Sequence, residues 1–337
     1  MRHSVSAEWR FIMNKRLKKV LALALGAALT VTSLTACGSG SKKSSAKYNI
    51  GICQLVQHEA LDAATKGFKD ALKEKLGDDV KFDEQNAQGD SATCATIVNS
   101  FVSSNVDLIL ANATAPLQAA ANATEDIPIL GTSVTDYATA LDLKDFSGST
   151  GINVSGTCDL APLDKQAELL HELFPDAKKV GILYCSAEPN SKFQAENIEK
   201  YLKDYGYECT EYTFVDSNDI AAVVNGAVSE SEVMYIPTDN TAASNTEVID
   251  SIARPAGIPI VAGEAGICAG CGVATLSISY YDLGYQTGLQ AYEILRNGKD
   301  VSKLDIEYAP NVTKKYNKEI CDELNITVPD GYEAIEE

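Results

Sequence analysis

Histidine is scarce in this sequence, and the motifs that accompany nucleophilic or metal catalysis are missing. Three histidines occur, at His3, His58 and His171. There is no G-x-S-x-G nucleophile elbow, no P-loop and no H-E-x-x-H motif, and no G-x-G-x-x-G follows the first strand pattern. Cys268 and Cys271 form a C-x-x-C, but no second one completes a zinc site. We therefore expect neither an enzyme nor a resident metal or cofactor.

Basic residues are also few compared with acidic residues. The chain has 47 Asp and Glu against 28 Lys and Arg, a formal net charge of −19. Residues 1–36 contain six of the basic residues and one acid, so the remainder has a net charge of −24. Phosphate binding needs clustered Lys and Arg, and no cluster occurs outside residues 15–19. We therefore expect no nucleic-acid partner.

The amino-terminal segment has the pattern of an export signal. Four basic residues at 15–19 precede an apolar run at 20–31, which is too short for a comfortable membrane-spanning helix. Small residues then lead to a cysteine in "LTAC", at 34–37, which resembles the lipobox of bacterial lipoproteins. This predicts a lipoprotein signal peptide at 1–36 and a lipid-modified Cys37 on the extracytoplasmic face of the bacterial membrane. An ordinary cleaved secretory signal is the alternative.

The remaining chain alternates short apolar strands with amphipathic helices. Strand patterns such as Tyr48–Leu55 and Leu108–Ala111 are separated by helical patterns such as Glu59–Leu76. This alternation predicts an α/β fold with two doubly wound parallel-sheet lobes, a hinge and a ligand cleft between the lobes. The predicted boundaries are a signal peptide at 1–36, a lipidated Cys and flexible tether at 37–47, a first lobe at 48–154 and 280–305, a second lobe at 155–279 and 306–313, and a carboxyl-terminal tail at 314–337.

Polar residues follow the predicted strands at their carboxyl ends, where doubly wound sheets bind ligands. Any one of them could simply cap a helix, but the set lies on one edge of both sheets. In the first array these residues are Gln57, His58, Asn86, Thr114, Ser133 and Asp136, and in the second they are Thr157, Asp159, Ser186, Glu188, Asn190, Thr238, Asp239, Asn240 and Glu264.

An ordered set of segments resembles a known family. "QLVQHEALDAATKGFKDAL", "NAQGD", "VDLILANATAPLQAAANATEDIPIL", "SGTCDLAPLDKQAELL" and "VMYIPTDNTAAS" resemble the substrate-binding lipoproteins of ABC importers, of the tryptophan/tyrosine-binding type. The resemblance implies the periplasmic-binding-protein-like type I fold, an aromatic amino acid (tryptophan or tyrosine) as ligand, and permease and ATPase subunits as partners. It implies ligand contacts at Gln57, His58, Asn86, Thr114, Ser133, Asp159, Glu188, Asn190, Asp239 and Glu264.

A zwitterionic amino acid would bring two charges that the cleft must pair. Its carboxylate suits hydroxyls and backbone N–H groups, for which Thr114 and Ser133, or Ser186 and Asn190, are available. Its ammonium group needs a carboxylate, and Asp239 is preferred to Asp159 and Glu188. The family commonly has Glu where this chain has Gln57. The sequence therefore does not determine which acid pairs with the ammonium group.

Aromatic side chains and cysteines add two further expectations. Tyr137, Tyr184, Tyr280 and Tyr281 could stack on an aromatic ligand or pack in the core. Cys53, Cys94 and Cys185 fit buried apolar positions, while the pair Cys268 and Cys271 has no assigned role. The alternative functions are a surface adhesin or ligand sensor, and the binding of another small solute such as a nucleoside or sugar.

Overall fold

The computed structural model describes residues 46–309 and 311–335. The predicted signal peptide and Cys37 lie outside these residues. Within the described part of the chain, no helix combines the length and apolar character needed to cross a membrane.

A six-stranded parallel sheet builds the first lobe. Its strands are β1 (Tyr48–Gln54), β2 (Val80–Asn86), β3 (Leu108–Asn112), β4 (Ile129–Val134), β5 (Val154–Cys158) and β11 (Glu307–Tyr308). They lie in the order β11-β5-β4-β3-β1-β2. The helices of this lobe are α1 (Glu59–Leu76), α2 (Ser91–Ser103), α3 (Thr114–Ala123), α4 (Tyr137–Ala140) and α11 (Tyr280–Asn297).

A seven-stranded sheet builds the second lobe. Its strands are β6 (Lys179–Cys185), β7 (Glu208–Phe214), β8 (Val233–Ile236), β9 (Ile260–Ala262), β10 (Ala274–Ser277), β12 (Thr313–Tyr316) and β13 (Glu333–Ala334). Their order is β13-β12-β10-β9-β8-β6-β7, with β12 antiparallel to β10. The helices are α5 (Leu163–Leu173), α6 (Pro189–Asp204), α7 (Ile220–Glu230), α8 (Asn240–Ala243), α9 (Thr246–Ala256), α10 (Ala265–Cys271) and α12 (Lys318–Glu323).

Each sheet is covered on both faces, which explains why its central strands are apolar throughout. All five residues of β3 and all four of β8 are buried. Strands buried on both faces read as continuous apolar runs because they have no solvent-facing side. The predicted α/β fold with two parallel-sheet lobes is confirmed.

The chain crosses between the lobes three times. It passes from β5 to α5, from β10 to α11, and from β11 to β12. The carboxyl ends of the central strands of both sheets face the space between the lobes. Residues at these ends therefore come together even though they are far apart in sequence.

The sheets depart from the predicted lobe boundaries in two places. β5 and β11 pair with each other in the first sheet, so residues 155–158 and 307–308 belong to the first lobe and not to the second. The predicted tail is integrated into the second lobe, because β12 pairs with β10 and Ile320 and Cys321 of α12 are buried. Both differences come from short strands whose partners are distant in sequence, which a local pattern does not specify.

Helix α11 returns to the first lobe and packs closely on α1. A side chain at Gly67 or Gly284 would overlap main-chain atoms of the other helix. A Cβ atom added at Gly284 would lie 1.9 Å from the carbonyl oxygen of Ala64, and one added at Gly67 would lie 2.1 Å from that of Tyr281. Glycine at these positions therefore sets the distance between the two helices.

Candidate functional site

A narrow cavity lies between the lobes, at the carboxyl ends of both sheets. Its accessible volume is about 10 Å³, roughly what a single water molecule requires. The residues that line it are His58, Leu61, Ser133 and Tyr280 from the first lobe, Asp159 from the segment after β5, and Asn190, Thr238, Asp239, Asn240, Ala243 and Glu264 from the second.

Six of the ten predicted ligand residues line this cavity. They are His58, Ser133, Asp159, Asn190, Asp239 and Glu264. Glu188 stands beside them, because its carboxylate accepts hydrogen bonds from Asn190 and Asn240. Gln57 and Asn86 instead line an outer groove beside α1, and Thr114 is buried at the start of α3. Ligand contact stays a prediction for all ten residues.

His58 joins the two lobes. It precedes α1, and its Nε2 lies 3.2 Å from Oδ1 of Asn240 in the second lobe. Its other ring nitrogen, Nδ1, is buried and has no hydrogen-bond partner among the described residues. Burial lowers the pKa of His58 below its ordinary value of 6.5, despite the raising effects of Asn240, Glu188 and Asp62. The ring is therefore neutral at neutral pH.

Ser133 holds its hydroxyl in the cavity at a cost in backbone strain. Its φ is +55°, which places a residue other than glycine in the left-handed region. Such a conformation costs about 1–3 kcal/mol and is often found at functional sites. The pairing of β4 with β5 is irregular here, between Gly131 and Val134. The Oγ of Ser133 is buried and has no hydrogen-bond partner among the described residues.

Three buried carboxylates face the same space, and their surroundings differ. Asp159 accepts hydrogen bonds from the hydroxyls of Thr135 and Tyr280, both at 2.9 Å. Asp239 caps α8 and accepts from the backbone N–H groups of Ala242 and Cys185. The hydroxyl partners of Asp159 can rotate, whereas the backbone partners of Asp239 are fixed.

The third carboxylate, Glu264, caps α10 and accepts from the backbone N–H groups of Gly266 and Ile267. Burial raises the pKa of Asp159 above its ordinary value. Burial also raises the pKa of Asp239 to about 7, with a smaller contribution from Glu188, and that of Glu264 to about 7. These pKa values increase because burial disfavours the charged form of a carboxyl group more than the hydrogen bonds favour it.

Glu188 is already fully engaged by protein groups. Its two oxygens accept hydrogen bonds from the backbone and side chain of Asn240, the backbone and side chain of Thr241, and the amide of Asn190. Five donors exceed the number that an exposed carboxylate usually finds in a protein. The main structural effect of Glu188 is thus to position the start of α8.

No Lys or Arg is among the residues that line the cavity. None of Asp159, Glu188, Asp239 and Glu264 forms a salt bridge within the described residues. Buried carboxylates without a cation are unfavourable when ionised. The site therefore favours a group that brings positive charge.

We expect the free energy of unfolding of the ligand-free protein to fall as pH rises from about 5 to about 8. Asp239 and Glu264 have folded-state pKa values of about 7, above their ordinary values of 3.8 and 4.5. The folded state binds more protons than the unfolded state in this range, so stability is lost as these groups ionise. The pKa of His58 is lowered, so its titration changes the free energy of unfolding in the opposite direction. It is a single group, whereas Asp239 and Glu264 are two.

Urea unfolding at several pH values measures this dependence. Glu264→Gln should give a shallower slope, because one of the two raised groups no longer titrates. Stability that rises across the same range would contradict the assignment of buried, uncompensated carboxyls.

A second contact between the lobes lies beside the cavity. Two of its residues, Gln194 and Thr135, were not predicted from the sequence as site residues. Gln194 of α6 donates to Oγ of Thr135 at 3.3 Å, and its oxygen accepts from the backbone of Thr238. Gln194 is buried in the middle of a helix, where no local pattern marks it. Thr135 directly follows β4 and could have been included on that basis.

A second groove between the lobes adjoins the cavity and shares Asn190 and Asn240 with it as lining residues. Apolar side chains from both lobes line this groove, including Leu55, Val56, Ala115, Ala187, Pro189 and Val215. Among the four tyrosines that could have stacked on a ligand, only Tyr280 lines the cavity. Tyr137 and Tyr184 donate hydrogen bonds to Thr157 and Glu211, and Tyr281 lies on the outer side of α11.

The described cysteines are free thiols in the interior. Seven of the eight are buried, and Cys209 is partly buried. Burial raises the pKa of both Cys268 and Cys271, which disfavours the reactive thiolate. Among the described residues, no group of three or more His, Cys, Asp or Glu could hold a metal ion. Both cysteines therefore pack as small apolar residues of α10.

Two parallel-sheet lobes, three crossings and a polar cavity between the lobes define a two-lobed solute-binding protein. The sequence profile of the family described as "ABC transporter substrate binding protein" matches residues 49–334. The chain belongs to this family.

Relatives with known properties are similar over most of the chain. A tyrosine-binding protein of Clostridioides difficile (strain R20291) is 40% identical over 302 residues, 86% of this chain and 87% of the relative. A Streptococcus pneumonia ABC domain solved in complex with L-Trp is 32% identical, with a TM-score of 0.82 over 86% of this chain and 100% of the other.

A third relative combines a higher sequence identity with a lower structural similarity. The ligand-free, open structure of a Clostridium difficile substrate-binding protein with adhesive properties is 37% identical over 86% of this chain and 99% of the other, but its TM-score is 0.66. The L-Trp complex is less similar in sequence and more similar in structure.

Proposed function

We propose that this protein is the solute-capturing lipoprotein of an ABC importer for tyrosine or tryptophan. Lipid on Cys37 would hold it at the outer face of the membrane, and the ligand would pass to a permease driven by ATPase subunits. The lipid anchor is supported by the order in which the basic residues, the apolar run and "LTAC" occur in the sequence. Mass spectrometry of the membrane-extracted chain would test it by the presence or absence of lipid on Cys37.

The observation that carries the ligand class is the chemistry of the interlobe cavity. Among the residues that the structure describes, buried polar atoms of His58 and Ser133 have no hydrogen-bond partner, and the surrounding carboxylates have no cation. A ligand with an ammonium group would supply positive charge and N–H donors. We assign the main ionic contact to Asp159, because its hydroxyl partners can reorient to leave an oxygen for the ligand.

An aromatic side chain would extend toward the mouth of the cleft. The groove there is lined by Leu55, Val56 and Pro189, among others, and adjoins the polar cavity at Asn190 and Asn240. Burying an aromatic ring against apolar groups from both lobes would favour closure. The tyrosine-binding relative and the L-Trp complex support an aromatic amino acid.

An adhesive role is a second candidate, supported by the relative described as having adhesive properties. This role is compatible with solute binding, because adhesion would use the outer surface of the protein whereas transport would use the cleft. Loss of cell attachment without loss of ligand uptake, after surface substitutions, would separate the two roles.

We expect L-tyrosine or L-tryptophan to raise the melting temperature of the purified protein, whereas L-leucine and glucose leave it unchanged. A ligand that binds only the folded state at 100 times its Kd stabilises it by about 2.7 kcal/mol. Differential scanning fluorimetry followed by isothermal titration calorimetry measures this effect. Stabilisation by a sugar or nucleoside alone would retain the fold and contradict the proposed ligand.

A further inference from the structure

The hydrogen bonds around His58 determine which of its ring nitrogens carries the proton. Asn240 directs its amide N–H₂ group to Glu188, at 2.6 Å, so its Oδ1 faces Nε2 of His58. An amide oxygen only accepts, and therefore Nε2 must be the donor. In a neutral imidazole the other nitrogen is then an acceptor. Nδ1 of His58, which is buried and has no partner among the described residues, is thus left free to accept a hydrogen bond at a residue that lines the cavity.

The other groups at the cavity are also mostly acceptors. Asp159, Asp239 and Glu264 present carboxyl groups, whereas Ser133 supplies a buried hydroxyl that has no partner within residues 46–309 and 311–335. The hydroxyl of Tyr280 is already donated to Asp159. The cavity therefore offers many more sites for N–H donors than for a ligand carboxylate.

Helix N-termini, which often bind carboxylates, are partly occupied by the protein itself. The first N–H groups of α8 are donated to Glu188 and Asp239, and those of α10 to Glu264 and to Oγ of Ser277. A ligand carboxylate that approached these two helices would meet the carboxylates of the protein instead of free donors. Repulsion between like charges would oppose that approach.

We propose that the ammonium group is the required determinant of recognition, and that the site also binds primary aromatic amines that lack a carboxylate. His58 would accept an N–H of the ammonium group through Nδ1, together with Asp159. Ser133 would contact the carboxylate when the ligand has one. The inference rests on the proposed function, because it concerns the same cavity and the same aromatic class of ligand.

Isothermal titration calorimetry with three probes tests this directly. The probes are L-tyrosine, tyramine, which lacks the carboxylate, and 3-(4-hydroxyphenyl)propanoate, which lacks the amine; the tryptophan series is the parallel set. We expect tyramine to bind within about tenfold of L-tyrosine, a difference of about 1.4 kcal/mol. The propanoate should not bind measurably.

The possible failures are distinguishable. Binding of L-tyrosine or L-tryptophan without any binding of their amines would overturn the inference and leave the proposed function standing. Binding of the propanoate as tightly as L-tyrosine would also overturn it. Absence of binding for both amino acids and both amines would overturn the proposed function as well.

Two variants assign the roles of the residues. His58→Ala should weaken L-tyrosine and tyramine alike, by about tenfold or more, because a hydrogen bond to a charged group is lost in both. Ser133→Ala should weaken L-tyrosine more than tyramine. His171→Ala is the matched control, since that histidine contacts Tyr205 and Tyr207 on the second lobe and not the cavity. Equal losses for Ser133→Ala with both ligands would contradict the assignment to the carboxylate.

Discussion

Gly284→Ala is expected to destabilise the protein by about 3 kcal/mol or more, at the upper end of the range for overpacking. The added Cβ would lie 1.9 Å from the carbonyl oxygen of Ala64, well inside van der Waals contact. The obstacle is main chain on another helix, so no side-chain rotation relieves it. Helices α1 and α11 must separate, and the apolar residues between them lose contacts.

Gly226→Ala is the matched control for this experiment. Gly226 lies in α7, and a Cβ atom added there would meet no atom within 4 Å. Replacing a helical glycine with alanine at an open position should stabilise the protein by about 0.5–1 kcal/mol. Urea unfolding of both variants should shift the midpoint in opposite directions. A Gly284→Ala variant as stable as the parent would contradict the close packing of α1 on α11.

Asp159→Asn is expected to weaken binding of an aromatic amino acid by about 100-fold or more while leaving the ligand-free protein at least as stable. Loss of one partner from a buried charge pair costs about 2–5 kcal/mol in binding. In the ligand-free protein the ionised carboxylate has no cation, and burial raises its pKa. A neutral amide of the same shape removes that unfavourable charge.

The hydroxyl partners of Asp159 make this substitution informative. Thr135 and Tyr280 can each donate or accept, so one hydroxyl can keep donating to the amide oxygen while the other accepts from the amide N–H₂ group. Calorimetry gives the affinity and thermal unfolding gives the stability. Asp164→Asn, an exposed acid in the first turn of α5, is the control and should change neither. Unchanged affinity would remove Asp159 from the ionic contact, and a lower melting temperature would contradict the argument from uncompensated charge.

Much of the site was predictable because parallel strands share an orientation. His58, Ser133, Asp159, Asn190, Asp239 and Glu264 each follow or end a strand pattern or begin a helix after one, and the structure brings them to one cavity. The carboxyl ends of parallel strands lie on the same edge of a sheet, so local patterns suffice to select such residues. Gln57 shows the limit of that reasoning, since it is adjacent to His58 but lines an outer groove.

The sequence by itself determined the alternation of strands and helices, the two-lobed architecture and the polar character of the cleft, because apolar periodicity and strand direction are local properties. Only the tertiary structure decided that β5 and β11 share the first sheet and that Gln194 and Asn240 join the lobes. It also decided that Nδ1 of His58 and Oγ of Ser133 have no partner in the described part of the chain. These features depend on contacts between residues distant in sequence, so they exist only once the chain has folded.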